Sequence, residues 1–316
     1  MQYCTEKLLL IAVPNPYFLQ GLFLMKYLLL FSFIFCTATL FAQKDSLFIA
    51  RDSVVAVTRT DTTFGRRLVY DLKNIAGGVL YTYERPLHWR KENLPAIGAF
   101  VGGTALLFFA DDDASRYFKD QGKKVPVELH HLGFYMGKPQ YNYTATAAIY
   151  LAGLISKNEK LRRTGVLIIS SATAGAFLQT FTKSAAGRTR PSMGYGNTHF
   201  KPFASGPGYH SFPSGHTILS TTAFYAISKQ FSNPWAKAGI LAVGLITPAS
   251  RLWDNAHWLS DVGLGVGISI VTVEAVDHFL KKNEKYEADR VKDPKQTKIS
   301  WNFRAGYNQI GFVGVF

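Results

Sequence analysis

The chain has 316 residues, a net charge of +14, 47% apolar residues and 14% aromatics. That length holds one large domain or two small ones. The basic balance suits anionic partners such as acidic lipid or phosphorylated substrates. The lack of zinc-finger spacing and of a basic helix with repeated aromatic platforms argues against nucleic acid.

At the N-terminus, Met25-Lys26 leads into the apolar run Tyr27 to Ala42 and then the polar Gln43-Lys44-Asp45-Ser46. A basic start, a short apolar stretch and a small residue before a polar one predict an export signal, cut near Gln43, with residues 1–42 forming an upstream extension and signal or anchor. Both cysteines, Cys4 and Cys36, fall in that segment, so the mature chain has no thiol for a disulfide or a metal. Residues 43–94 read as a polar, irregular extension, with β-like composition at Val54–Thr60 and Val79–Tyr83.

Residues 95–280 change character. Six apolar segments without Lys or Arg follow one another: Ala96–Ala110, Tyr143–Ile155, Gly165–Thr182, Thr217–Ile227, Ala238–Ala249 and Val262–Val273. Their Ala, Gly, Leu, Ser and Thr content predicts closely packed helices, hence an all-α bundle of about six core helices. The triplet Asp111-Asp112-Asp113 is expected to cap the next helix rather than hold a cation. The segments are shorter than the about 20 residues a bilayer span needs, and Glu274 and Asp277 are expected to end the last one. Counting crossings from an exported residue 43 places the basic stretch Lys157–Arg163 outside, against the positive-inside tendency. Residues 281–316 form a basic linker and a tail whose alternation from Ile299 to Tyr307, with Gly306-Asn308 turn chemistry, predicts a small C-terminal β-hairpin packed on the bundle.

Three clusters sit beside these helices: Lys183 with Arg188, Arg190 and Pro191; Pro213-Ser214-Gly215-His216; and Ser250-Arg251 with His257 and Asp261. Lys183, Arg190 and Arg251 at helix ends suit a group with several anionic oxygens, and Arg forks bind phosphate in bidentate fashion. Ser214 and Gly215 open a helix whose free N–H groups make an anion site, and His216 lies in its first turn. His257 and Asp261 are four apart, on one helical face. Asp261 is expected to hold one ring N–H of His257 and leave the other nitrogen as a nucleophile. Cations, a nucleophile and a second His as acid are the parts of a phosphoryl transfer without a metal. The His spacing is not that of a zinc motif, and the cations would repel a divalent ion, so no metal or cofactor is expected. Each feature alone has an ordinary structural role, and the inference rests on their conjunction. Arg188 is expected to be a supporting or surface cation, and His88, His130, His131, His199, His210 and His278 are given no role.

The three clusters, in this order and with these internal spacings, resemble the signature motifs of the type 2 phosphatidic acid phosphatase superfamily over roughly residues 95–280. The resemblance implies that Lys183, Arg190, Ser214, Gly215 and Arg251 bind phosphate, with His216 the general acid, His257 the nucleophile and Asp261 its orienter. It further implies hydrolysis of a lipid phosphate or polyprenyl diphosphate (undecaprenyl diphosphate among them) through a phosphohistidine. Contact with membrane lipid and a site facing the periplasm are expected with it. The rival readings are a vanadate-dependent haloperoxidase, distinguished by bromide oxidation, and a lipid-phosphate-binding module without turnover, against which His216, His257 and Asp261 argue.

Overall fold

The computed structural model describes residues 63–88, 91, 94–282, 285–286, 300–306 and 309–315. The signal-like Met25–Ala42, the β-like run Val54–Thr60 and the packing of the hairpin's side chains lie outside the described residues. The helices are α1 (Phe64–Glu84), α2 (Leu94–Phe109), α3 (Asp111–Gly122), α4 (Val127–Gly137), α5 (Pro139–Ile155) and α6 (Glu159–Ala186). They continue with α7 (Gly215–Ser228), α8 (Pro234–Gly244), α9 (Ile246–Trp253) and α10 (Leu259–Lys282). Strands β1 (Ser300–Gly306) and β2 (Gln309–Val315) pair antiparallel, with Ser300 opposite Val315 and Phe303 opposite Phe312. The fold is all-α, and each of the six apolar segments lies on helix, the fifth divided between α8 and α9.

α6 is the central helix. Val166, Leu167 and Ile168 on it are fully buried, and their cluster takes in Ala226 of α7 and Val273, Val276 and Leu280 of α10. Asn158 caps its start, accepting from the Leu161 N–H at 3.1 Å. Gly187 ends it in the left-handed region at φ 57°, where its amide returns to the Lys183 carbonyl at 3.0 Å. A side chain at Gly187 would also run into the Lys201 carbonyl, so only glycine serves there.

Three helices depart from the sequence expectation. Val79–Tyr83 belongs to α1, not to an irregular extension. The α1 face that packs inward is polar, with Asp71, Asn74 and Gly78 buried. Asp71 accepts from Tyr150 at 3.0 Å and Tyr286 at 2.7 Å and pairs with Arg162 at 2.9 Å. Leu68 and Ile75 share that face, but with Asp, Asn and Gly as its buried residues the apolar period is broken. α3 and α4 lie between the first and second apolar segments, where the count of six helices placed none, and the acidic triplet forms the first turn of α3 rather than its cap, which is Ala110.

The charged flank of the bundle is also paired. Arg163 meets Asp277 at 2.8 Å, with both side chains buried, and Asp277 further receives Lys229 at 3.0 Å and Lys281 at 2.9 Å. α10 therefore runs past Val273 to Lys282, because Asp277 is paired inside the bundle and Glu274, on the exposed side, meets Lys229 and Tyr225. Among the described residues, α6 and α10 are long and apolar enough to cross a membrane, with α2 a shorter apolar helix.

Candidate active site

The three clusters converge at one end of the bundle. Lys183 is in the last turn of α6, Arg190 follows the Gly187 turn, Ser214 and Gly215 open α7, Arg251 is in the last turn of α9, and Asp261 is in the first turn of α10. His257 sits in the turn between α9 and α10. Asn255 supplies that turn's left-handed residue at φ 53°, and its Oδ1 accepts from the Ser115 hydroxyl of α3 at 2.8 Å.

His257 is buried, and its Nδ1 lies 2.7 Å from the Ser211 carbonyl oxygen. A carbonyl only accepts, so Nδ1 carries the proton and Nε2 presents its lone pair. This corrects the expected partner: Asp261 Oδ2 stands 3.8 Å from Nδ1, beyond hydrogen-bond reach, and acts on the ring through its charge. The carboxylate is committed elsewhere. Oδ2 accepts from the Ser211 hydroxyl and from the Trp258 N–H at 2.9 Å, and Oδ1 accepts from Arg188 at 2.6 Å. The Trp258 bond is a capping-box contact, an acid in the first turn of α10 reaching back to the residue before it. Asp261 thus orients His257 through Ser211, whose hydroxyl it holds and whose carbonyl holds the ring.

Burial pushes His257 down to about 4, with the charges of Arg190 and Lys183 adding to it and Asp261 opposing. His216 is pushed down to about 3, first by burial and then by Arg251, His257, Lys183 and Arg190. Those influences put both imidazoles and all three cations in one electrostatic neighbourhood. His216 Nε2 is buried with no protein partner, and its ring stacks on Phe134 of α4 at 5.1 Å between centroids. A glycine pair lets α4 come this close, Gly133 against Ser250 and Gly137 against the His216 backbone.

The cations are held by other groups. Arg190 donates from Nε to the Pro207 carbonyl at 2.9 Å and from NH1 to the Ala256 carbonyl at 3.2 Å. Arg251 is buried, pairs with Asp254 at 2.5 Å and lies over the Phe134 ring at 5.0 Å. Ser214 is fully buried. Its N–H goes to the Asp261 carbonyl at 3.1 Å and its hydroxyl accepts from Thr217 at 2.9 Å. The N–H groups of the next residues, Gly215 and His216, have no acceptor within α7 and remain available to an anion. Gly215 packs against the Gln179 side chain.

Arg188 is not on the surface. It is fully buried, and its fork meets Asp111 Oδ2 at 2.7 Å, Asp261 Oδ1 at 2.6 Å, the Ser260 hydroxyl at 2.8 Å and the Asn197 carbonyl at 2.9 and 3.1 Å. Asp111 in turn accepts from the Ser260 N–H at 2.8 Å, capping α10 from another helix. Among the described residues no three His, Cys, Asp or Glu side chains gather as a metal-holding group.

A helical bundle that gathers three cations, a lone-pair imidazole and a second imidazole at a helix start offers charge that suits an anion such as a phosphoryl group. Residues 164–285 match the family model of the PAP2 superfamily. The match spans all three residue clusters of the bundle, and the protein is a phosphoric ester hydrolase. Two curated relatives carry the name lipid A 1-phosphatase. The one from Rhizobium etli is 28% identical over 201 residues, covering 57% of this chain and 80% of the relative. The one from Rhizobium johnstonii is 26% identical over 207 residues, covering 57% and 76%. No solved structure matches the chain significantly.

Proposed function

We propose that the protein hydrolyses a lipid phosphate, a monoester or a diphosphate, through a phosphohistidine on His257. The observation that carries this reading is the Nδ1–H bond from His257 to the Ser211 carbonyl, which aims a neutral, unprotonated Nε2 into the cationic cluster. The substrate phosphate sits among Lys183, Arg190 and Arg251, with the Gly215 and His216 amides completing the cradle. Nε2 attacks phosphorus, an N–P bond forms and the bond to the leaving oxygen breaks. His216 gives its proton to that oxygen. The bound anion offsets the cations that depress His216, returning it toward the charged form the acid role requires. Water then attacks the phosphohistidine, His216 takes its proton, and inorganic phosphate is released with Nε2 restored.

The names of the curated relatives support a lipid A type of substrate carrying a 1-phosphate. Large exposed apolar side chains support contact with the bilayer. They include Phe177 and Phe181 of α6, Leu106 and Phe109 of α2 and Trp235 of α8. An exported protein embedded in the envelope membrane, with its site facing the periplasm, fits this surface and the signal-like N-terminus. The test is phosphate release from lipid monophosphates, diphosphate lipids and soluble esters in chelator, together with acid-labile labelling of wild type and His257→Ala. Turnover without any label on the wild type would refute the phosphohistidine.

A further inference from the structure

The face of α6 that meets the start of α7 carries Gly175, Gln179 and Lys183, each one turn from the next. Their neighbours on α7 run the opposite way: Gly175 lies against Ile218, and Gln179 against Gly215. One turn further on, Lys183 reaches the level of the open N–H groups of Gly215 and His216. We propose that the Gln179 carboxamide is a further phosphate-binding group of this site, donating an N–H to a non-bridging oxygen held between Lys183 and the α7 amides. The inference rests on the phosphate cradle of the phosphatase reading and adds a residue that none of the three clusters contains.

The contact with Gly215 sets the position. A Cβ on Gly215 would stand 2.4 Å from Gln179 Oε1, 2.6 Å from Cδ and 2.6 Å from Nε2. The whole amide head is therefore laid on the Gly215 backbone, in the room that the missing side chain leaves. Gly215 is buried, and its own N–H belongs to the anion site. A half-turn of the head exchanges its oxygen and nitrogen, so either can face the phosphate.

Gln179 also lacks what its neighbours have. The hydroxyls of Thr180, Thr182 and Ser184 return to carbonyls of their own helix at 2.9, 2.6 and 3.2 Å. Gln179 makes no hydrogen bond with another described residue, although it is half-buried. An amide head packed on buried backbone without a partner is unfavourable unless a ligand or water supplies one. Packing alone would be met by Leu or Met, which carry no such penalty. Charge favours an amide here as well. Lys183, Arg190 and Arg251 already act together on His216, and Lys183 and Arg190 on His257. A fourth cation would add to that field, whereas a carboxamide donates a hydrogen bond with no net charge.

Two substitutions test this in the full chain in detergent. Gln179→Met keeps much of the length and bulk and removes both N–H groups, and Gln179→Glu keeps the shape and puts a carboxylate in their place. Each protein is titrated with inorganic phosphate, inhibited with orthovanadate and assayed for kcat/KM on phenyl phosphate. Gln179→Met is expected to weaken phosphate and vanadate about tenfold or more, the worth of one hydrogen bond to a charged oxygen. Its kcat/KM should fall at least as far, while its unfolding midpoint without phosphate stays within about 2 °C of wild type. Gln179→Glu should bind phosphate about a hundredfold more weakly than wild type at about pH 8, where carboxylate and phosphate repel, and lose much less at about pH 5, where a protonated acid can donate. A packing role would show no such pH dependence. Wild-type phosphate affinity in Gln179→Met, or a Gln179→Glu deficit equal at both pH values, would overturn the assignment. A wild type that binds phosphate but hydrolyses no ester would bring down the proposed hydrolysis, and the phosphate titrations would still decide Gln179. A wild type that binds no phosphate would bring down both. Should Gln179→Met fold poorly, the near-isosteric Gln179→Glu decides alone.

Discussion

Arg188→Met removes a guanidinium with no exposed surface from between two carboxylates that are equally buried, Asp111 and Asp261. Three of its contacts are charged or hydroxyl side chains and the rest go to the Asn197 carbonyl, and the rings of Phe108, Phe200 and Trp258 enclose it at 4.8, 5.4 and 5.4 Å. Methionine fills much of the space and returns none of the hydrogen bonds. Deleting one partner of a buried pair destabilises by about 3–5 kcal/mol, because the other charge stays behind in low dielectric. With a shift of about 2–4 °C per kcal/mol for a domain of this size, the unfolding midpoint should fall by about 6–20 °C. Arg188→Lys should recover only part, since an ammonium cannot fork to Asp111, Asp261 and a carbonyl at once. Combining Arg188→Met with Asp111→Asn removes one stranded charge, so the double variant should be more stable than the sum of the two single effects predicts. Thermal unfolding of detergent-solubilised protein, followed by intrinsic fluorescence, reads all four. A midpoint for Arg188→Met within about 2 °C of wild type would refute the argument, since that is the effect of less than about 1 kcal/mol.

His257→Ala should lower turnover by roughly a thousandfold or more and abolish phosphoenzyme, and a variant retaining a tenth of wild-type turnover would exclude His257 as nucleophile. Activity should persist in EDTA and be inhibited by vanadate, whose trigonal-bipyramidal form mimics the transferring group; rescue of an EDTA-inactivated enzyme by Mg²⁺ or Zn²⁺ would point to a metal instead. His216 and His257 are depressed from 6.5 to about 3 and about 4, so the stability they lend is present above about pH 6.5 and lost as pH falls toward 4, where the unfolded chain binds protons that the fold resists. Inorganic phosphate places an anion beside both rings and should lessen that loss, and melting curves that fall equally with and without phosphate would contradict the shared cradle.

What could be read from the sequence was chemistry at fixed spacing. Lys183, Arg190, His216, Arg251, His257 and Asp261 are residue types with few alternative uses in such company, and the helices beside them announced themselves by lacking Lys and Arg. The groups that orient His257 were hidden for a different reason. Ser211 acts through its carbonyl, which every residue possesses, and Asp111 acts on Ser260 and Arg188, partners distant in sequence that only the fold brings near. The acidic triplet drew attention as a helix cap, one position off its place in the first turn of α3, and that reading was silent about Asp111's buried role. α4 left a readable trace in Gly133 and Gly137, a small-residue pair one turn apart on the face that meets Ser250 and His216. Its mixed sequence carries no apolar run of the kind that marked the six segments.

The side of the membrane on which the site lies can be argued from the ends of two helices. Lys183 closes α6 and Asp261 opens α10, so the two run antiparallel with the site at one shared end, and the Arg163–Asp277 pair marks the other. Lys157 and Lys229 flank helices at that far end and Lys160, Lys281 and Lys282 lie in their terminal turns, while Arg116, Lys119, Lys123 and Lys124 stand on or beside α3 at the site end. The proposed orientation has the far end in the cytoplasm and the site in the periplasm, with α6 and α10 as the crossings. Single cysteines report this in a background with Cys4 and Cys36 changed to Ser. Tyr195→Cys, exposed beside the site, should react with an impermeant maleimide in intact cells. Lys282→Cys, exposed at the far end, should react only after the inner membrane is opened. Labelling of Lys282→Cys alone in intact cells would invert the orientation, and labelling of both would mean that the bundle does not span.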